Sequence, residues 1–119
     1  MPHFVIEYSR DLEKSYDIPK VMQIAYDTGV ASGEVQAADI KVRAQPYDYF
    51  RILNPSDSFL HVTVFLLDGR TDEQKEHISL LLLQNLVEYL QAVTSVSVDI
   101  RDMNRVAYKK RVLLPPDID

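Results

Sequence analysis

The stretch FLHVTVFLLDGRTDEQ, residues 59–74, decides the fold. Its first nine residues, 59–67, are apolar or β-branched apart from one histidine, which predicts a strand, and Gly69 ends that strand. Thr71 and Gln74 have the spacing of a capping box, in which each side chain bonds the other residue's backbone N–H at the start of a helix. The stretch therefore predicts a strand that leads directly into a helix.

The rest of the second half continues this pattern. The helix is expected to run to about Ala92, because large aliphatic side chains recur every four residues along one face. These side chains are Ile78, Leu82, Leu86 and Leu90. Another strand is predicted over 96–100, where valine and isoleucine alternate with Ser97 and Asp99. The order in this half is therefore strand, helix, strand.

The first half has the same order, with weaker signals. Residues 3–8 alternate large apolar side chains with others, which predicts a strand. Asp17 and Pro19 are typical of a helix start, since proline is favoured in the first turn. The helix is expected to end near Gly29 or Gly33, because glycine commonly follows the last helical turn.

A second strand is predicted over 40–44, and Pro46 is expected to break it or to form a bulge. Residues 49–53 are expected to continue in an extended conformation before a turn at 54–57, which has the sequence Asn-Pro-Ser-Asp. Two strand–helix–strand units in tandem predict an α+β fold, with a four-stranded mixed sheet backed by two helices. We expect a single domain over 1–119, built from pseudo-repeats of about 2–53 and 59–108.

The strand over 59–67 places apolar side chains on both faces of the predicted sheet. One face carries Leu60, Val62, Val64 and Leu66, and the other carries Phe59, Phe65 and Leu67. Two helices can cover only one face of a four-stranded sheet, so the other face requires a partner. An oligomer is the simplest expectation. The alternative is that loops and the C-terminal tail, which has no motif that we can interpret, cover this face.

Composition excludes several classes of protein. The 119 residues are 46% hydrophobic and 26% charged, as in a folded soluble domain, and the sequence has no long apolar run for a membrane span or a signal peptide. Without cysteine, the chain has no disulfide, thiolate metal site or cysteine nucleophile. We therefore expect a cytoplasmic protein that does not bind membranes. The net charge of −5 also argues against nucleic-acid binding, although residues 101–111 are locally basic.

Histidines supply no recognisable metal site, and we expect no metal. The three histidines, His3, His61 and His77, are too scattered for a zinc motif. His3 and His61 lie on predicted strands, where hydrogen-bonded structural roles are expected, and His77 is expected on the exposed side of its helix without a function. Residues 109–111 are read as a solvated basic tail, or alternatively as a source of positive potential near an anionic substrate.

Pro2 is the first residue with potential chemistry. Methionine before proline is normally removed, which would leave Pro2 with a free secondary amine. Such an amine can take a proton from a carbon next to a carbonyl if it is neutral at working pH. Burial and nearby cations both lower an amine's pKa toward neutrality, where a general base works best.

Four stretches carry a resemblance to a known family. They are PHFVIE at 2–7, IKVR at 40–43, FLHVT at 59–63 and DGR at 68–70. With these stretches the chain resembles the 5-carboxymethyl-2-hydroxymuconate isomerase family of the tautomerase superfamily over nearly its whole length. Residues 68–76 and 94–98, with Met103, are also similar to oxalocrotonate tautomerases, so that each half resembles one short tautomerase subunit.

The resemblance implies a role for five residues. Pro2 would be the catalytic base, and Arg43 would stabilise the enolate oxygen, since a fixed cation favours a developing oxyanion. Arg70 would bind a substrate carboxylate, which a guanidinium holds in a bidentate fork. Lys41 stands where relatives carry another arginine and would bind a second carboxylate. Tyr108 lies near the position of an aromatic residue that lines the pocket.

The second half departs from this pattern. Leu60 stands at the counterpart of Pro2, and Ser97 is taken as the counterpart of Arg43. Without a proline amine, the second half has no base of its own. We therefore expect one active site per chain rather than two.

The resemblance implies an isomerase that needs no cofactor and acts on a small anionic substrate. The expected substrate is 5-carboxymethyl-2-hydroxymuconate, from homoprotocatechuate breakdown, and the expected assembly is a homotrimer with sites at its subunit boundaries. An alternative is a phenylpyruvate-type enol, since Tyr47, Tyr49 and Phe50 offer aromatic surface. A further alternative is a non-catalytic trimer, because retention of Met1 would leave the Pro2 nitrogen as an amide.

Overall fold

The computed structural model describes residues 1–111, and residues 112–119, which hold most of the C-terminal tail, lie outside the described residues. Four strands and two helices make up the domain. They are β1 (His3–Ser9), α1 (Ile18–Ala31), β2 (Lys41–Tyr47), β3 (Phe59–Leu67), α2 (Asp72–Tyr89) and β4 (Ser95–Met103). Short 3₁₀ turns at Arg10–Lys14 and Ala37–Asp39 precede α1 and β2.

The four strands form one mixed sheet in the order β2-β1-β3-β4. β1 is parallel to β2, β3 is parallel to β4, and β1 and β3 are antiparallel at the centre. Each parallel pair is joined through its own helix, so the chain consists of two strand–helix–strand units placed side by side. The predicted α+β fold with a four-stranded mixed sheet and two helices is confirmed.

The core lies between the sheet and the helices. Alternate side chains of the central strands are buried on this side: Phe4, Ile6 and Tyr8 from β1, and Leu60, Val62, Val64 and Leu66 from β3. The predicted face of α2 packs onto them, with Ile78, Leu82, Leu86 and Leu90 all buried. Side chains spaced two residues apart in the strands and about four residues apart in α2 therefore pack into one apolar layer.

The opposite face of the sheet is only half-buried. On β3 it carries Phe59, His61, Thr63, Phe65 and Leu67. The apolar Phe59, Phe65 and Leu67 lie on this face as expected, but Glu7 on β1 and Arg43 on β2 lie there too, so the surface as a whole is mixed in polarity. Tyr108, from the segment after β4, contacts His3 and covers one corner of this face.

Gly33 and Gly29, near the end of α1, have different structural roles. Gly33 follows the C-cap residue Ser32 with a φ of +74°, a conformation that favours glycine, so the prediction of a glycine stop is confirmed there. Gly29 lies inside the helix and is buried, and a Cβ at this position would lie 3.0 Å from Ile40 and 3.1 Å from Phe4. Gly29 therefore allows α1 to pack closely against the sheet.

Several predicted boundaries were wrong. Pro46 neither ends nor bulges the second strand but lies within β2, which is an edge strand and loses little from a missing N–H. Residues 49–53 form a loop rather than an extension of the strand, whereas the turn at 54–57 is confirmed by hydrogen bonds to Asn54. α2 ends at Tyr89 rather than Ala92, and β4 continues to Met103.

None of the helices in residues 1–111 is long and apolar enough to span a membrane.

Candidate functional site at the start of β1

Pro2 is buried and immediately precedes β1. Its carbonyl oxygen accepts a hydrogen bond from the Lys41 backbone N–H at 3.0 Å, so the β1–β2 pairing extends to the N-terminus. The chain's terminal amine belongs to Met1 and lies 3.7 Å from a carboxylate oxygen of Asp39. Strand pairing thus fixes the N-terminus against the edge strand β2.

Cationic side chains surround this amine. Burial lowers the pKa of the Met1 amine below its ordinary value of 8.0, and the charge of Asp39 opposes that shift. Lys110, Lys41 and Arg70 lower the pKa further. A larger fraction of the amine is therefore neutral near pH 7 than for an ordinary chain terminus.

Asp39 connects several of these groups. Its carboxylate lies 4.0 Å from Lys110 Nζ as well as near the terminal amine, and its backbone oxygen accepts a hydrogen bond from Lys41 Nζ at 2.9 Å. No sequence motif marks Asp39, because its position beside the N-terminus depends on the β1–β2 pairing. We refer to the residues around the amine as the N-terminal cluster: Pro2, Asp39, Lys41, Arg70 and Lys110.

His3 links the N-terminal cluster to two further predicted site residues. Its Nδ1 lies 3.2 Å from a guanidinium nitrogen of Arg43, and its Nε2 lies 3.0 Å from the Tyr108 hydroxyl. The His3 and Tyr108 rings meet edge to face, with their centroids 6.0 Å apart. Burial lowers the pKa of His3 below 6.5, and the charges of Arg43, Lys41 and the chain terminus lower it further.

Arg70 is held by the backbone of two loops. Its guanidinium donates to the Leu67 carbonyl at 3.2 Å and to the Glu34 carbonyl at 2.8 Å. A guanidinium has five N–H donors, so these two bonds fix its position and leave other donors available for an anion. Arg70 is thus positioned near the terminal amine and still able to bind a carboxylate.

Lys41 and Arg70 lie close enough to the terminal amine beside Pro2 for their charges to act on it, and Arg43 and Tyr108 contact His3, the residue that follows Pro2. His3 and His61 are hydrogen-bonded, as expected, and His77 is exposed. The N-terminal cluster is electropositive apart from Asp39. It has the chemistry to bind an anion beside an amine that is partly neutral.

A cleft of about 500 Å³ lies elsewhere, between α1 and α2, and none of the predicted site residues lines it. The N-terminal cluster is therefore not part of this cleft. Within residues 1–111, no group of three or more histidine, aspartate or glutamate side chains is arranged to hold a metal ion.

Strand register locates the second-half counterparts of the N-terminal cluster. With Leu60 as the counterpart of Pro2, the histidines that follow these two residues are equivalent. The first of these histidines lies opposite Lys41 on β2, and the second lies opposite Ser97 on β4. Ser97 therefore corresponds to Lys41.

The predicted equivalence of Ser97 and Arg43 is wrong by two residues, because Arg43 lies two positions further along β2. The residue that lies two positions further along β4 is Asp99. Comparing the two halves by sequence alone paired Ser97 with Arg43 because the loops of the two halves differ in length. The second half thus presents a carboxylate where the first presents a guanidinium.

Solved structures share this fold. A crystal structure of a 5-carboxymethyl-2-hydroxymuconate isomerase from Deinococcus radiodurans R1 superposes with a TM-score of 0.82 at 23% identity, covering 92% of this chain and 88% of that chain. A 5-carboxymethyl-2-hydroxymuconate delta-isomerase gives a TM-score of 0.76 at 18% identity, covering 93% of this chain and 87% of that one. A structure described as a fused 4-OT wild type asymmetric trimer gives 0.72 at 16% identity, with 91% of each chain covered. At such identities these similarities establish the fold.

A search of curated proteins gives no significant match. The family profile described as 5-carboxymethyl-2-hydroxymuconate isomerase matches residues 2–112, nearly the whole chain. The match begins at Pro2 and includes every member of the N-terminal cluster. The chain therefore belongs to the 5-carboxymethyl-2-hydroxymuconate isomerase family.

Proposed function

We propose that this protein is a cofactor-independent isomerase in which the Pro2 amine, freed by removal of Met1, moves a proton between two carbons of an unsaturated 2-hydroxy or 2-oxo acid. The observation that supports this most is the N-terminal cluster. Burial and the charges of Lys110, Lys41 and Arg70 lower the pKa of the Met1 amine, and Pro2 is the buried residue next to it. Removal of Met1 would place the Pro2 amine close to the same cations. An amine that is neutral at working pH can act as a base, and the cations attract an anionic substrate.

The proposed reaction moves one proton and needs no redox partner. From a 2-oxo acid, Pro2 nitrogen takes a proton from a carbon next to the carbonyl, and the electrons of the broken C–H bond move onto the carbonyl oxygen. From a 2-hydroxy acid it takes the hydroxyl proton, whose bonding electrons stay on the oxygen, and this gives the same kind of enolate. Arg43 stabilises the resulting enolate oxygen, and the same proton then passes from Pro2 to a carbon other than the position it left. Arg70 and Lys41 hold the substrate's carboxylates, and Tyr108 lines the pocket.

We infer that the substrate carries at least two carboxylates, with 5-carboxymethyl-2-hydroxymuconate, which has three, as the leading candidate. Arg70 and Lys41 offer two cationic sites, which a substrate with two carboxylates would use fully. The phenylpyruvate-type alternative has less support. Tyr47 donates to Glu7 and Phe50 packs against Phe59, so these two aromatic side chains already have partners at the other end of β2.

We also propose a homotrimer. Structures of fused 4-OT proteins that share the fold are described as trimers. The half-buried face of the sheet, with Phe65 and Leu67 among its side chains, offers apolar surface to other subunits. The N-terminal cluster lies at an edge of this face, so a neighbouring subunit would enclose the site.

The first experiment is the intact mass of untagged protein. A mass lower by one methionine residue means that Pro2 carries the free amine. The protein is then assayed with 5-carboxymethyl-2-hydroxymuconate and with a monoanionic enol such as phenylpyruvate. We expect faster turnover of the substrate with several carboxylates, whereas equal rates for both would contradict binding by two carboxylate sites.

Pro2→Ala is expected to lower kcat by orders of magnitude and to leave the trimer intact. A second preparation that retains Met1 provides the control, since its Pro2 nitrogen is an amide without a basic lone pair. Size-exclusion chromatography confirms assembly in each case. Equal activity in all three forms would contradict the proline mechanism, and complete inactivity of the processed wild type would favour the non-catalytic trimer.

A further inference from the structure

We propose that His3, in its neutral form, is a positioning residue that orients the Arg43 guanidinium and the Tyr108 hydroxyl beside the Pro2 amine. The proposal rests on the proposed function for its catalytic consequence, and on the hydrogen bonds of the His3 ring for its geometry. The ring lies between β2 and the segment after β4, and both of its nitrogens are hydrogen-bonded.

The partners of His3 determine its tautomer. A guanidinium can only donate hydrogen bonds, so the Nδ1 atom that lies 3.2 Å from Arg43 must be unprotonated. In a neutral imidazole the proton is then on Nε2, which donates to the Tyr108 oxygen at 3.0 Å. Because Tyr108 accepts this bond, its own hydroxyl proton is available for another acceptor in the site.

Protonation of His3 would disrupt this arrangement. Nδ1 would lose the lone pair that accepts from Arg43, and the two cations would repel each other. The groups that face the ring are Arg43 and Lys41 from β2, the uncharged Phe65 from β3, Tyr108, and the terminal amine. Burial lowers the pKa of the His3 ring, and these charged groups, which are all cationic, lower it further, so the ring stays neutral down to a lower pH than an ordinary histidine.

Substitutions can separate the two hydrogen bonds. The side-chain oxygen of His3→Asn can replace Nδ1 and accept from Arg43, whereas the amide of His3→Gln reaches the Nε2 position and can bond only Tyr108. His3→Ala removes both bonds. The matched control is His61→Ala, because His61 is the equivalent residue of the second half and bonds Ser97 at 2.7 Å rather than a cation.

We expect His3→Ala to lower kcat about tenfold with KM changed less than about twofold, because Arg43 acts on the enolate that forms during reaction. His3→Asn should retain most of the activity, because its amide oxygen still accepts from Arg43 and does not titrate. His3→Gln should resemble His3→Ala. In an Arg43→Ala background, His3→Ala should cost much less than in the wild type, since only its bond to Tyr108 is then left to lose.

His3→Ala with wild-type kcat and pH profile would overturn the proposal, and so would additive losses in the double variant. Nitrogen NMR of the imidazole ring gives a test that does not depend on activity. At neutral pH it should show His3 protonated mainly at Nε2, and Nδ1 should gain its proton at a lower pH than in an ordinary histidine, because burial lowers the pKa of the ring. If processed wild type proves inactive, the proposed function fails. A His3 ring protonated at Nδ1 at neutral pH overturns the present inference in either case.

Discussion

At the start of β1, Pro2 leads into a strand whose neighbour carries Lys41 and Arg43, whereas at the start of β3 the equivalent neighbour carries Ser97 and Asp99. The backbone is alike in both places: a central strand, a parallel edge strand and a helix that joins them. The side chains differ in charge, from two cations to a hydroxyl and a carboxylate. Side-chain charge, rather than the fold, therefore distinguishes the candidate active end from its counterpart.

The surroundings of His3 and His61 differ in charge in the same way. His3 contacts Arg43 and Tyr108, whereas His61 bonds the Ser97 hydroxyl. His61 also lies opposite Glu7 in the β1–β3 pairing, so it faces an acidic neighbour where His3 faces cations. The same residue type at equivalent positions thus has opposite electrostatic surroundings.

Leu60→Ala tests whether the second half has only a structural role at this position, and it should have the largest effect on stability. Leu60 is fully buried beneath the helices. Truncating such a side chain costs about 2–5 kcal/mol through lost burial and a residual cavity. Urea unfolding at fixed protein concentration measures this loss. A change below about 1 kcal/mol would contradict tight packing at this site.

Kinetic parameters at 25 °C are expected to be unaffected by Leu60→Ala wherever the variant remains folded. Pro2→Ala should show the reverse pattern, with activity lost and stability retained. A substantial loss of kcat in fully folded Leu60→Ala protein would mean that the second half also contributes to catalysis.

Arg43→Ala and Asp99→Ala compare equivalent positions on β2 and β4. Loss of a charge-assisted hydrogen bond to the substrate should cost Arg43→Ala about 1.5–3 kcal/mol in kcat/KM. Asp99 forms an exposed ion pair with Arg101 at 2.6 Å, and such pairs contribute little. We therefore expect Asp99→Ala to have nearly wild-type kinetics, and steady-state assays of both variants provide the measurement.

Arg70→Ala extends this comparison, because Arg70 also holds the Leu67 and Glu34 carbonyls. It should lose about 1.5–3 kcal/mol in kcat/KM and, unlike Arg43→Ala, some stability as well. Wild-type kinetics in both arginine variants would contradict the proposed binding of an anionic substrate.

Much of the fold could be predicted because its elements have strong local signals. β3 was predicted with its observed bounds, since a nearly continuous apolar run ends at a glycine, and the Thr71 capping box marks the start of α2. Pro46 was misjudged because its tolerance depends on β2 being at the sheet edge. That is a property of tertiary structure, which sequence periodicity does not contain.

The candidate site could be predicted only in part. Pro2 was predicted from its place after Met1 together with the resemblance, whereas Arg43 and Arg70 came from the resemblance alone, and the placement of all three is a property of strand pairing. Asp39 and the bridging position of His3 were missed because their partners are distant in sequence: His3 and Tyr108 are 105 residues apart. A lone histidine or aspartate has no sequence signal for such contacts.

The two helix starts offer the finest comparison of the halves. Thr71 caps α2 through a complete capping box, in which its side chain accepts from the Gln74 N–H at 3.2 Å. Asp17 occupies the same place before α1 but makes no side-chain capping bond. Thr71→Ala should therefore cost about 1 kcal/mol of stability, the usual loss for a capping hydrogen bond.

Asp17→Ala removes only the attraction between a carboxylate and the helix dipole, which contributes about 0.3–1 kcal/mol and is screened by salt. Urea unfolding of both variants at low and high salt distinguishes these contributions. The effect of Asp17→Ala should shrink as salt is added, whereas that of Thr71→Ala should not, because a neutral hydroxyl carries no net charge to screen. A greater loss at Asp17 than at Thr71, in either salt condition, would show that α1 is capped in solution and that the two halves start their helices in the same way.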